Sequence, residues 1–333
     1  MTVSIIVGGI FGDEGKGKIT AYLAFKDKID INARGGVGPN AGHTVLLKQN
    51  KFKLRIIPSG FVNPKTRLLI GAGVLLNTEI LLNEIQKTES EKRLGIDYQC
   101  GIIENQHIEQ DRNNLYLKNK IGTTGTGCGP AQSDRVNRKL GLAKNKTEIE
   151  KFLTDVSLEI NDAADENKEI LIEGSQGTFL SLYHGTYPHV TSKDVTASAI
   201  CSDIGIGPKR IDEVIPVMKA YITRVGGGPL KNELSIEETQ DRGWLEKGTV
   251  TGRVRRSAPF DYELAKKSVR LNGATQIALT KLDIIYPEDK GKTEWDKLSD
   301  KSKKFIQDIE SECGVPITLI GTGEEVSDTI DRR

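Results

Sequence analysis

No apolar run in this chain approaches the roughly 20 residues that a membrane-spanning helix needs, so a helical membrane protein is excluded. Neither sign of charge dominates. Lys and Arg number 47, Asp and Glu 46, and the two are interspersed. A surface that holds nucleic acid by bulk charge is therefore not expected. The four cysteines, Cys100, Cys128, Cys201 and Cys313, form no CxxC pair and have no histidine at ligand spacing. That speaks against a zinc centre and a disulfide framework, and for free thiols that are buried or partly exposed. Met1-Thr2-Val3 leads straight into a strand pattern, without a basic or apolar leader. The expectation is no signal peptide and a cytoplasmic protein. Internal repeats and low-complexity tracts are missing as well.

Glycine is what the chain has in quantity, 35 of 333 residues, against about 7% in an average protein. It gathers in loops between apolar runs. With 37% apolar and 28% charged residues the chain is globular. Its length supports a large core, read here as one elaborated α/β domain over 1–333.

The stretch Gly12-Asp13-Glu14-Gly15-Lys16-Gly17-Lys18 organises the rest. A strand-like run ends at Gly8 and Gly9 before it, and a helical pattern with Ile19, Leu23 and Phe25 as apolar positions follows. Strand, glycine turn and helix place backbone N–H groups and a helix N-terminus around a phosphate. Gly12, Gly17 and Lys18 fit Gly-x4-Gly-Lys, but Ile19 stands where a Walker loop has its magnesium-binding Ser or Thr. Asp13 and Glu14 would be repelled by phosphates unless a divalent cation bridges them or one of them removes a proton.

Further polar loops follow in order. Residues 34–44 carry Arg34, Asn40 and His43 among glycines; residues 121–130 are a glycine-threonine loop followed by Arg135, Arg138 and Lys139. Glu173-Gly174-Ser175-Gln176-Gly177-Thr178 closes a short buried-type strand, and residues 184–192 form another polar loop. Residues 249–256 place three arginines on a Thr-Gly turn, suited to carboxylate or phosphate. In Thr280-Lys281-Leu282-Asp283 the carboxylate could accept two guanine N–H groups, with the lysine stem over the base. Helices are expected over 77–93 with Gly95 as the stop, from a Thr147-x-x-Glu150 capping box onward with Ile149, Phe152, Leu153, Val156 and Ile160 on one stripe, over 261–271, and over 299–313. Strands are expected over 54–57, 68–70, 170–172, 214–221, 276–280 and 317–320.

Strands alternating with helices predict a large, mostly parallel twisted sheet flanked by helices, with a P-loop-like nucleotide site at the carboxyl ends of the strands. At least five strands, ending near Val7, Ile172, Tyr221, Thr280 and Ile320, run into glycine-bearing or polar loops. A phosphate cradle, two carboxylates, a histidine, several arginines and a guanine reader at one crevice are the parts for phosphoryl transfer from a nucleoside triphosphate.

In order along the chain, the phosphate loop, Asn40-Ala41-Gly42-His43-Thr44, Ile121-Gly122-Thr123-Thr124-Gly125, the Glu173 to Thr178 stretch, His184-Gly185-Thr186-Tyr187-Pro188, Thr223-Arg224-Val225-Gly226, Thr251-Gly252-Arg253 and Thr280-Lys281-Leu282-Asp283 resemble adenylosuccinate synthetase, in its compact, archaeal-type form. The resemblance implies a carbon–nitrogen ligase of purine biosynthesis. It would join IMP to L-aspartate with GTP and Mg2+, through a 6-phosphoryl-IMP intermediate, the step that commits IMP to AMP. It implies Asp13 as the base on N1 of the hypoxanthine, His43 as the donor at O6 and the phosphate, Lys16 neutralising charge, and Gln176 completing the catalytic set. Asp13 and the Gly42 carbonyl would hold Mg2+. GTP would lie against Gly12, Glu14, Gly15, Lys16, Gly17, Lys18, Gly42, His43, Thr44 and Arg255, its guanine among Lys281, Leu282, Asp283, Gly321, Thr322 and Gly323. IMP would lie against Asp13, Asn40, Ala41, Gly42, His43, Thr124, Gln176, Thr191 and Arg253, with Arg138 reaching the site of the other subunit in a homodimer. Aspartate would be gripped by Thr249, Val250, Thr251, Gly252, Arg253 and Arg255. Val250 stands where many members have threonine, and Val254 interrupts the usual arginine run. Two alternatives remain: a phage-like synthetase acting on dGMP, which typically lacks the carboxylate at Asp13, and a GTP-binding switch.

Overall fold

Val3–Gly8 is a six-residue run, four of its residues β-branched, and almost all of it is buried. Apolar residues facing both ways suit only a strand covered on both faces, which is the setting of a parallel sheet. A computed structural model describes residues 2–248 and 252–333, and it places this strand near the middle of a ten-stranded sheet. In spatial order the strands are Thr329–Asp331, Ile317–Gly321, Ile277–Thr280, Glu213–Lys219, Val3–Gly8, Ile170–Glu173, Ile31–Arg34, Arg67–Ile70, Leu94–Asp97 and Leu153–Thr154. The pairings are parallel except that of Thr329–Asp331 with Ile317–Gly321. Helices cover both faces, and the buried side chains fall into clusters on either side.

From the central strand the chain first builds the half of the sheet that ends in Leu153–Thr154, then returns to insert Ile170–Glu173 beside Val3–Gly8, and then builds the other half. The crevice of such a sheet opens where the direction of building reverses. The five strands expected to end in reader loops are neighbours here, from Ile317–Gly321 to Ile170–Glu173. Their loops share one edge because parallel strands all present their carboxyl ends there. The backbones at that edge touch. A Cβ on Gly8 would stand 2.0 Å from the carbonyl oxygen of Gln176.

Local expectations fail where tertiary pairing overrides them. The helix expected over 77–93 is Thr78–Thr88, ended by Glu89 in the left-handed region (φ 50°). Gly95 is not its stop; it lies inside the strand Leu94–Asp97. Thr147 does not cap a helix. Thr147–Phe152 is a 3-10 turn, and Leu153–Thr154 joins the sheet edge beside Ile96 and Asp97. The helix Val156–Asp165 then starts from Asp155, whose side chain accepts from the Leu158 N–H. Phe25 is not a core position. It is 59% exposed, two residues and about 200° of helical rotation from the buried Leu23. The strand expected over 54–57 lies earlier, at Asn50–Leu54, in a hairpin with His43–Leu47. The N–H groups of Arg55, Ile56 and Ile57 donate to the Glu84 carboxylate instead of to a neighbouring strand. The 121–130 loop ends early, because Cys128–Val136 is helical. All four cysteines are free, three of them buried.

Candidate active site

The phosphate loop is shaped by its own acid. Glu14 Oε1 accepts from the Ile10 and Gly12 N–H groups, each at 2.8 Å, and Oε2 lies 3.4 Å from Lys16 Nζ. The carboxyl is turned into the loop, and burial raises it above the ordinary carboxylate range. Gly15 (φ 86°) starts the helix Lys16–Lys26 from the left-handed region that glycine accepts most easily. Thr280 Oγ1 donates to the Glu14 carbonyl at 2.7 Å, fixing the loop to the next-but-one strand.

Two cavities meet at this loop. One, of about 400 Å³, is lined by Asp13, Asn40, Thr124, Gln176, Thr191, Arg253 and their neighbours. The other, of about 530 Å³, is lined by residues 13–18, Thr44, Glu246, Gly252, Arg255, Lys281 and Gly323 among others. Asp13, Lys16, Gly42, His43 and Gly248 line both, so these residues form the shared wall. Lys16 Nζ is anchored on the Gln176 carbonyl.

His43 is buried in that wall. Its Nδ1 contacts Glu173 Oε1, which also accepts from Ser59 Oγ at 2.7 Å. Arg34 Nη1 lies 3.1 Å from the same oxygen. Nδ1 also lies 2.6 Å from Arg34 Nη1, so it stands between one group that only accepts, ionised Glu173, and one that only donates. Burial first, and Arg34 second, lower the imidazole to about 4, so the ring is neutral near pH 7. Burial pushes Glu173 up, but the neighbouring cations and donated hydrogen bonds prevail and keep it ionised. Nε2 is buried and has no hydrogen-bond partner.

Asp13 faces Arg255 across the same wall, with Oδ2 at 3.0 Å from Nε. The Nε is close enough for an ion pair but is not aligned as a hydrogen bond. Glu246 lies behind Arg255 and takes its Nη1, the Tyr221 hydroxyl, and Lys219 Nζ at 2.9 Å. Burial would raise Glu246, but Lys219 and Arg255 win and hold it at about 2.

In the first cavity Gln176 Nε2 donates to Asn40 Oδ1 at 2.9 Å and Asn40 Nδ2 to Thr191 Oγ1 at 3.3 Å. Arg253 Nη2 donates to the carbonyls of Gly122 and Thr123, which brings the 121–130 loop to the arginine turn. Arg138 does not line this cavity; it is exposed just beyond the helix Cys128–Val136. Asp283, two residues beyond Lys281 of the second cavity's wall, does not itself line that cavity; it is 7% exposed and its Oδ1 has no hydrogen-bond partner. Burial raises its carboxyl. Leu282 is wholly inside the core, and Thr322 turns its hydroxyl to the Lys292 carbonyl, so neither side chain faces the cavity. Thr249, Val250 and Thr251 lie outside the described residues.

Asp13, Arg138, Gln176 and Lys281 all have left-handed backbone, with φ between 53° and 62°. Sequence reasoning gave no role to Glu173, Glu246 or Lys219. Glu173 had a signal, a carboxylate ending a buried strand before a glycine loop. Glu246 and Lys219 had none, because their pairing joins segments 27 residues apart.

The family model described as "Adenylosuccinate synthetase" matches residues 5–146 and 140–290. The adenylosuccinate synthetase of Methanocaldococcus jannaschii is 55% identical over 336 aligned positions, covering 100% of this chain and 97% of the relative. That of Pyrococcus horikoshii is 55% identical over 332, covering 99% and 98%. The solved structure of fully ligated adenylosuccinate synthetase from Plasmodium falciparum is 27% identical, has a TM-score of 0.92 and covers 100% of both chains. The cyanophage S-2L succinoaminodeoxyadenylate synthetase, 23% identical with a TM-score of 0.82, shares the fold.

Proposed function

The chain belongs to the adenylosuccinate synthetase family and catalyses the GTP-driven joining of IMP to L-aspartate; we propose how its residues divide that work. The observation that carries the reading is the shared wall, where Asp13, Lys16, Gly42 and His43 line both cavities. A phosphoryl group crossing from a nucleotide in one cavity to an acceptor in the other must pass there.

IMP occupies the cavity of Asn40, Gln176 and Thr191, and GTP the cavity of the phosphate loop. Asp13 takes the proton from N1 of the hypoxanthine. The electrons move to O6, which attacks the γ-phosphorus as the bond to the β-phosphate oxygen breaks and GDP leaves. Lys16 balances the charge that develops on the transferred group. The anionic phosphate beside Nε2 favours the imidazolium of His43, with Glu173 holding the opposite nitrogen, so the ring can donate to the phosphoryl oxygen. The aspartate amine then attacks C6 and the 6-phosphoryl group leaves as phosphate. Gly252, Arg253 and Arg255 grip the aspartate in this reading; Thr249, Val250 and Thr251, assigned to the same grip from the sequence, lie outside the described residues.

One part-exposed carboxylate and a carbonyl at the mouth between two cavities suit Mg2+, which takes its other oxygens from phosphates and water. Among the described residues no group of three acidic, histidine or cysteine side chains offers a self-sufficient cage. Asp13 and Gly42 would hold the ion, which would supply charge neutralisation at the transferring phosphate. The unpartnered Asp283 Oδ1 supports guanine N–H recognition. The exposed Arg138, outside its own cavity, supports a homodimer in which it serves the other subunit's IMP. The ten-stranded sheet, built from strands between residues 3 and 331, supports reading the chain as a single domain. No helix among the described residues is long and apolar enough to cross a membrane, which is compatible with a cytoplasmic enzyme.

The test is positional isotope exchange in GTP labelled at the β,γ-bridge oxygen, run with IMP and without aspartate. Scrambling is expected in the native enzyme and none in Asp13→Asn, with IMP binding retained. Equal scrambling in both would remove Asp13 as the base.

A further inference from the structure

Lys18 stands where the lysine of a Gly-x4-Gly-Lys loop would face a phosphate. In the structure its ammonium does something else. Nζ donates to the carbonyl oxygens of Gly323 and Asp328, both at 2.6 Å, and the residue is 7% exposed. Those carbonyls belong to the loop that leaves the strand Ile317–Gly321. That loop bonds to itself, from the Thr322 N–H to the Asp328 carbonyl and from the Glu325 N–H to Asp328 Oδ2, and to the hairpin of His43–Leu47 and Asn50–Leu54, through the Val326 N–H on the Leu46 carbonyl and the Lys48 and Gln49 N–H groups on the Glu325 carboxylate; Lys18 adds a tie to the phosphate-loop helix. Asp283 and Lys281, on the adjacent strand end, lie within electrostatic range of Lys18. The lysine at the shared wall is Lys16, two residues earlier.

We propose that Lys18 is a positioning residue for base recognition, tying the loop at 321–328 to the phosphate-loop helix so that the base and phosphate walls of the GTP cavity keep a fixed separation. This rests on the reading of that cavity as a guanine nucleotide site. Two charge-assisted bonds to carbonyls hold the ammonium on the base side. Methionine, apolar and one atom shorter, would leave the Gly323 carbonyl without this donor and the Asp328 carbonyl with Thr322 alone, and would loosen the tie between the loop and the helix Lys16–Lys26.

The experiment compares guanosine, GDP and inorganic tripolyphosphate as inhibitors competing with GTP, in the native enzyme and in Lys18→Met. Guanosine lacks phosphate and tripolyphosphate lacks a base. The expected result is that guanosine and GDP weaken by the same factor, roughly ten- to a hundredfold for the loss of charge-assisted bonds, while tripolyphosphate is unchanged. Weakened GDP and tripolyphosphate with unchanged guanosine would make Lys18 a phosphate ligand and overturn the proposal. Failure of the native enzyme to be inhibited by GDP at all would instead strike at the nucleotide site itself. Should Lys18→Met not fold, hydrogen exchange of the native enzyme decides. Tripolyphosphate should leave amide exchange over 322–328 unaltered, whereas a lysine that swings to the phosphate would release the loop and speed it.

Discussion

Nε of Arg255 lies 3.0 Å from Oδ2 of Asp13, while Nη1 of the same guanidinium rests on Glu246. One arginine thus connects Asp13 at the shared wall with a buried carboxylate behind it. In the proposed mechanism the substrates draw Asp13 away from Arg255, and Glu246 keeps the guanidinium in place when they do.

Glu246 is therefore expected to carry stability as well as position. In Glu246→Ala, Lys219 stays 3% exposed without its carboxylate, and breaking such a buried pair costs about 3–5 kcal/mol. Urea unfolding of the variant against the native enzyme measures it. A loss under about 1 kcal/mol, the range of an exposed pair, would show that water reaches the cluster.

His43 makes stability depend on pH in one direction. Its imidazole is held at about 4 in the folded chain against 6.5 when exposed. On acidification the unfolded chain therefore takes the proton first. The contribution is complete above pH 6.5 and is lost as pH falls towards 4, by at most about 3 kcal/mol. Urea midpoints at pH 7, 5.5 and 4.5 should drop more steeply for the native enzyme than for His43→Asn. Parallel slopes would mean that the imidazole is not held neutral.

Asp283 should decide between purine bases. With Asp283→Asn, the amide oxygen still accepts from N1–H, but the amide nitrogen faces the guanine amino group, so one charge-assisted hydrogen bond is lost and two donors are opposed. The KM for GTP is expected to rise by about a hundredfold. XTP, whose C2 oxygen accepts from that amide, should become the better substrate. Steady-state kinetics with both nucleotides checks this, and an unaltered GTP preference would place the base elsewhere.

Arg138 should act across subunits. Arg138→Ala is expected to raise the KM for IMP at least tenfold, the loss of one charged contact, with little change for GTP. Mixed with the inactive Asp13→Asn chain, it should regain activity, because each hybrid dimer has one site with neither defect; random pairing restores about a quarter of the sites. No recovery after mixing would confine Arg138 to its own subunit.

Much of the site was legible in advance because its chemistry sits on contiguous stretches. Phosphate binding needs a strand, a glycine turn and a helix start, and residues 3–26 write that out in order. The helix 261–271 and the helix 299–313 were equally plain, since Asp261 and Ser299 cap them and glycines follow. The errors came where a local signal met a distant partner. Gly95 reads as a helix stop, yet Arg67–Ile70 draws it into the sheet. Thr147 reads as a cap, yet pairing of Leu153 and Thr154 at the edge delays the helix to Val156.

By itself, then, the sequence determined the class of fold, the glycine loop between strand and helix, and the candidates for the chemistry, because periodicity and turn residues act over a few positions. Only the tertiary structure decided what those groups are bonded to: Glu14 to its own loop, Lys18 to the carbonyls of Gly323 and Asp328, His43 to Glu173, and Arg255 to both Asp13 and Glu246. Charge and burial act through space. Residues as far apart as 18 and 328 meet only once parallel strands bring their loops to one edge.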